Sequence, residues 1–253
     1  MVALSVFSSF VEADGQGEKW EEVFFQANQA YRAGEYGRAV EGYRRLIEAG
    51  YRSGDVFFNL GNAYYRLGEL GEAILNYERA KRAIPRDADL RFNLRHARDQ
   101  VVDAISGERS FIDVAFFWLD SVNFKEIFWT FAVINVLFWG ILAARRYSGS
   151  ELLYYALLIS TAFWLVSGIS FGVKWYRMEA DNRAVVVKKE IDVLSGPDMQ
   201  DTVLFKLHEG AVVDLERSEA DWSLVRLSED KRGWTAPGTV VSIRPAKTAA
   251  PTP

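Results

Sequence analysis

Ala27-Asn28-Gln29-Ala30-Tyr31-Arg32-Ala33-Gly34-Glu35 returns about 34 residues on as Gly61-Asn62-Ala63-Tyr64-Tyr65-Arg66-Leu67-Gly68-Glu69. Each copy is followed by Gly-x-Ala (Gly37 to Ala39, Gly71 to Ala73) and then by a tyrosine, Tyr43 or Tyr77. Such an interval marks a two-helix unit that cannot bury its apolar face alone, so copies stack and share a core. Working outward, one helix pair runs from near Trp20 to Ala49 with its turn at Gly34-Glu35. A second runs from Asp55 to Ile84 with its turn at Gly68-Glu69, and Pro85 stops it. Ala27 and Gly61 are small where the first helix of each pair must approach Ala39 and Ala73 of the second. A third helix begins around Asp87, but Arg95 falls in the register of Ala27 and Gly61. No close-packed partner helix fits against an arginine, which predicts a solvated capping helix.

These residues resemble the tetratricopeptide repeat family, and that resemblance implies a protein-binding surface. Positions i, i+4 and i+7 of each first helix share a face. That face carries Phe24, Asn28 and Tyr31 in the first copy, Phe58, Asn62 and Tyr65 in the second, and Phe92, His96 and Asp99 on the capping helix. Rings offer contact area and amides grip a peptide backbone, so Phe24, Asn28, Tyr31, Phe58, Asn62, Tyr65, Phe92 and His96 are the candidate peptide groove. Relatives that clamp a C-terminal carboxylate pair two such asparagines with lysine or arginine. Here phenylalanine and His96 stand at those basic places, which argues against that clamp.

The 253 residues divide unevenly in hydrophobicity, as several small domains would. A net charge of −4 argues against nucleic acid, and the absence of cysteine excludes disulfides and thiolate metal sites. Met1 to Val11 is mostly apolar and small, and Val11-Glu12-Ala13 has the small-x-small form of a cleavage site. Residues 1–17 therefore read either as the remnant of a signal peptide or as a disordered N-terminus. The repeats with their capping helix occupy 18–105, and 106–126 is an amphipathic juxtamembrane segment.

Ile127 to Ala144 and Leu152 to Val173 are long and apolar enough to span a bilayer, as two transmembrane helices over 127–144 and 152–173. Arg145 and Arg146 in the connecting loop, 145–151, predict that this loop is cytoplasmic and that both soluble parts lie on the other side. Trp129, Trp175 and Tyr176 lie at the outer ends, as interfacial rings do. Gly168 and Gly172 offer a small-residue packing face, and Asn135 is expected to bond to Ser160, Ser167 or a subunit partner. One amide in the membrane is too few for a channel or carrier.

After a linker, 174–183, the pattern turns to short alternating strands over 184–244, separated by Ser195-Gly196-Pro197 and Glu209-Gly210. They predict a small all-β barrel that resembles bacterial SH3-type domains in Gly196-Pro197, Leu207-His208-Glu209-Gly210, Trp222 before Arg226, and Gly233-Trp234. Trp222 alone matches the aromatic row with which eukaryotic relatives bind proline-rich peptides. Residues 245–253 read as a disordered tail. The fold class expected is thus multidomain: all-α tetratricopeptide repeats, a two-helix transmembrane hairpin and an SH3-like barrel.

In this order the parts resemble the BatE-like family of the bacterial aerotolerance (Bat) group. The resemblance implies a bacterial inner-membrane protein, encoded beside von Willebrand factor A domain membrane proteins and a MoxR-type ATPase, with a part in stress tolerance or envelope maintenance. Partners expected are such proteins and membrane lipid, with no nucleic acid. The alternative is a cell-wall sensor whose SH3-like domain binds peptidoglycan. No phosphate loop, metal-ligand motif or nucleophile with a nearby base is present, so no enzyme, metal or cofactor is expected.

Overall fold

The computed structural model describes residues 19–103, 114–219 and 221–244. The segments read as 1–17 and 245–253, and the first part of 106–126, lie outside them. The chain forms two compact units. One draws its described residues from 19–103 and 182–244, the other from 114–181.

The first unit starts with five helices: α1 (19–32), α2 (Tyr36–Glu48), α3 (Gly54–Leu67), α4 (Leu70–Ala83) and α5 (Ala88–Arg98). Local chemistry sets their ends. The Ser53 side chain accepts from the Val56 amide and the Asp87 side chain from the Leu90 amide, so both cap a first turn that would otherwise leave donors unpaired. Gly68 closes α3 at φ +77°, a left-handed conformation that glycine adopts without strain. The small residues fall where helices meet. A Cβ on Gly42 would lie 2.8 Å from Ala27 Cβ, and one on Gly61 would lie 2.7 Å from the Tyr77 ring.

Equivalent helices of the two pairs are buried differently. In α2 a single stripe is buried, Ala39, Val40, Tyr43 and Leu46, as expected of a helix with one packed face. In α4 the run from Ala73 to Glu78 is buried without a break, so something covers its second side. That cover is a seven-stranded antiparallel sheet: β1 (Arg183–Val186), β2 (Glu190–Leu194), β3 (Val203–His208), β4 (Val212–Glu219), β5 (Trp222–Ser228), β6 (Lys231–Thr235) and β7 (Val240–Ser242).

Alternation along β1 sends Val185 into a core with Ile74, Leu75, Tyr77, Leu90 and Leu94, joined by Ile243. Ala184 and Val186 point into the sheet's own core with Ile191, Val193, Leu207 and Val213. Each large aliphatic side chain buried in this way stabilises the fold by about 1.5–3 kcal/mol. The strand order is β3-β2-β6-β5-β4-β1-β7, and among the described residues no ladder joins β3 to β7. The β character expected from the sequence is present, but as an open sheet. At the β7 end, Arg79 of α4 donates to the carbonyls of Ser242 (2.8 Å) and Ile243 (3.3 Å), so a helix satisfies groups that another strand would otherwise pair.

Charged groups fix the same junction. Glu78, 2 % exposed, lies between Arg98 of α5 and Arg183 of β1. Lys189 reaches the carbonyl of Gly68 (2.8 Å) and Glu209 (2.7 Å), and the bond to Glu209 is the main cause holding the Lys189 ammonium above its usual range. The His208 amide and ring Nδ1 meet Asp103 Oδ2 at 2.7 and 3.0 Å.

The second unit contains α6 (Phe124–Tyr147) and α7 (Glu151–Glu179), each long and apolar enough to cross a membrane. They meet along an aromatic seam in which Phe131 stacks on Phe171 (5.4 Å) and Phe138 on Trp164 (5.0 Å). Gly168 lies beside Phe131, whereas the space in front of Gly172 is open. Asn135 does not bond to Ser160 or Ser167. Ser160 and Ser167 turn their hydroxyls to the carbonyls of Leu157 and Trp164 in their own helix, and among the described residues Asn135 has no side-chain hydrogen bond. Serine in a helix commonly bonds back in this way, because the preceding turn is nearer than any neighbour. A short 3-10 turn, Phe117–Ser121, sits on α7 through Lys174 donating to the Leu119 carbonyl (2.6 Å) and through Arg177 with Asp120.

Candidate peptide-binding groove

The first helices α1, α3 and α5 carry the candidate residues, and the two asparagines share one geometry. Asn28 Oδ1 accepts from Tyr43 Oη of α2 (2.7 Å) and from Asn59 Nδ2 of α3 (3.1 Å). One repeat later, Asn62 Oδ1 accepts from Tyr77 Oη of α4 (2.8 Å) and from Asn93 Nδ2 of α5 (2.9 Å). Each amide thus ties its own hairpin to the next unit. With both bonds on the oxygen, each Nδ2 has no partner among the described residues. Neither is a buried unpaired atom, so both reach solvent as donors. Orientation by two bonds removes the rotameric freedom that a free amide would lose on binding.

The tyrosines that hold these amides sit in the core. Burial pushes the Tyr43 phenol up to about 12 and raises that of Tyr77 further, so both stay protonated donors throughout the physiological range. Phe24 leans on Tyr43 (6.1 Å between ring centroids) and Phe58 on Tyr77 (6.0 Å), and both phenylalanines are half-buried. Phe92 differs: it is 67 % exposed and stacks on His96. Tyr31 packs edge-on against Tyr36, and Tyr65 accepts a bond from Gln100 (2.6 Å) and faces His96. The structure therefore brings Asn28, Asn62, Phe24 and Phe58 into two equivalent settings and leaves Phe92 and His96 in a third, more open one. Asn59 and Asn93 were missed from sequence, although their own 34-residue spacing carried the signal. Trp222 lies apart from these helices, half-buried at the start of β5 opposite Glu219 of β4.

Residues 26–88 match the Tetratricopeptide repeat family. The matched span runs from within α1 to the start of α5; it takes in Asn28, Tyr43, Asn59, Asn62 and Tyr77 and stops before Asn93. Among curated proteins none matches the chain. Repeats of this family typically mediate protein–protein interaction, and no enzymatic family is indicated.

Burial in the second hairpin has a consequence for pH. Glu72 in the first turn of α4 has its carboxyl raised above the ordinary 4.5, chiefly by burial, although Arg79 and Arg44 pull it down. A raised carboxyl favours the folded state when protonated. That contribution is complete below the ordinary value and is lost as pH rises through the raised one. Glu72→Gln is expected to remove this loss, so melting curves of wild type and variant should diverge above about pH 4.5, with the variant higher at neutral pH. Parallel curves would contradict it.

Proposed function

We propose that this protein is a non-catalytic, membrane-anchored scaffold that captures an extended segment of a partner protein on the face carrying Asn28 and Asn62. The observation that supports this reading is the pair of solvent-reaching Nδ2 donors, each fixed through its oxygen by a core tyrosine and by the following repeat. Two donors on successive repeats suit two carbonyls along one extended peptide. The two apolar helices serve as the anchor, with Arg145 and Arg146 on the cytoplasmic side and the repeats and sheet outside. The domain order is that of Bat-type envelope proteins, which makes von Willebrand factor A domain membrane proteins the partner class and stress or oxygen tolerance the setting. In this reading the C-terminal sheet is an SH3-type unit that buttresses α4.

Asn28→Ala with Asn62→Ala is the test, using a photocross-linker placed at Phe58 in native membranes. The double variant should lose at least about tenfold of the partner adducts of the wild type, because each charge-neutral bond to a buried or oriented group carries roughly 1 kcal/mol. Undiminished adducts from a variant that still melts cooperatively would refute the groove. In spheroplasts, added protease should cut the repeats, and full shielding would reverse the orientation.

A further inference from the structure

In both complete hairpins a phenylalanine of the first helix rests on a tyrosine of the second, Phe24 on Tyr43 and Phe58 on Tyr77. Phe92 occupies the next place in that series, and among the described residues no second-helix tyrosine meets it. It is 67 % exposed, and among the described residues His96 is the one aromatic ring it meets. Beside it, Arg91 and Arg95 are exposed one helical turn apart, with no side-chain partner among the described residues, and neither Asp89 nor Asp99 pairs with them. Nearby arginines are engaged: Arg98 on Glu78, Arg79 on the β7 carbonyls. At Arg95 the earlier copies have Ala27 and Gly61, which admit a close helix. An arginine there admits a segment only at greater distance and with a carboxylate at the contact.

We propose that α5 is the receiving half of an incomplete third repeat, and that its occupant is a partner segment bearing an aromatic ring for Phe92 and acidic side chains for Arg91 and Arg95. The pairing follows from charge complementarity around an apolar centre: two exposed arginines flank an exposed ring in a protein whose net charge is −4. It rests on the scaffold reading only for the existence of a protein partner, since it uses none of the asparagine donors.

The test uses the full chain in nanodiscs and three labelled synthetic peptides with the same tyrosine spacing, flanked by glutamate, glutamine or lysine. Anisotropy should show the glutamate peptide binding at least tenfold more tightly than the glutamine peptide, with the lysine peptide weakest. Arg91→Glu with Arg95→Glu, two solvent-facing changes that leave the core untouched, should invert that order. Phe92→Ser should weaken the glutamate peptide by about tenfold, the loss of a central apolar anchor. Arg45→Glu, an exposed change on α2 away from α5, should leave the order as it is. Equal binding of the three peptides, or an order that survives the charge reversal, would overturn the proposal. Loss of the order in Arg45→Glu would make it an effect of overall charge and not of α5, and would equally overturn the proposal.

Discussion

Gly71→Ala is expected to lower the melting temperature of the repeat-and-sheet unit by about 4–8 °C, corresponding to roughly 2 kcal/mol. The cause is a backbone collision. A Cβ at this position would stand 2.4 Å from the Val186 carbonyl oxygen and 2.9 Å from Val187 Cα, both main-chain atoms of β1 and its exit that cannot rotate away. The gain in helix propensity from glycine to alanine, up to about 1 kcal/mol, offsets only part of the overlap. Gly37 supplies the control because it holds the same place in the Gly-x-Ala motif of the first hairpin, where nothing lies within 4 Å. Gly37→Ala should therefore stabilise or leave the melt unchanged. Differential scanning fluorimetry reads both variants, and limited proteolysis should show cleavage in 182–244 for Gly71→Ala alone. Equal behaviour of the two alanines would mean that the sheet does not sit on α4 as described.

The second large effect concerns Glu78. Its side chain is 2 % exposed, whereas those of Arg98 and Arg183 are 42 % and 41 % exposed. Removing the carboxylate leaves two cations that can turn toward water. Removing both arginines leaves an anion that cannot. Arg98→Met with Arg183→Met is thus expected to cost about 3–5 kcal/mol, the range for an uncompensated buried charge. Glu78→Met should cost distinctly less, because its partners are screened by solvent. Adding Glu78→Met to the double arginine variant should recover most of the loss, since apolar groups of similar size tolerate the site. Chemical denaturation of the four proteins distinguishes the cases, and a triple variant no more stable than the double would show that packing, not charge, governs the junction.

The sequence made the elements legible but not their assembly. Helix pairs, spans and strands each leave a periodic signal within a few residues: the echo at Ala27 and Gly61, the uncharged run from Leu152 to Val173, the alternation through Val185 and Val193. Contacts between residues more than a hundred positions apart leave none. Gly37 and Gly71 hold the same place in the repeated Gly-x-Ala motif, and only the fold shows that Gly71 faces β1 while Gly37 faces open space. Asn28 and Asn62 were visible as candidates because they repeat. That their oxygens are already committed to Tyr43 and Tyr77 depends on second-helix geometry that spacing does not contain. That Ser160 and Ser167 bond to their own helix and not to Asn135 was equally invisible in the spacing.

The continuous burial of α4 also dictates an order of events during synthesis. Ile74, Leu75 and Tyr77 share their core with Val185 and Ile243, which the ribosome supplies only after the whole apolar hairpin has been made. Until then the second repeat keeps an oily flank uncovered, and a nascent chain released before residue 182 would carry that flank permanently. Chaperone dependence and rapid turnover are the expected fate of such truncated products. Strands β1 to β7 thus act as a seal on the second repeat, which no earlier part of the described chain supplies.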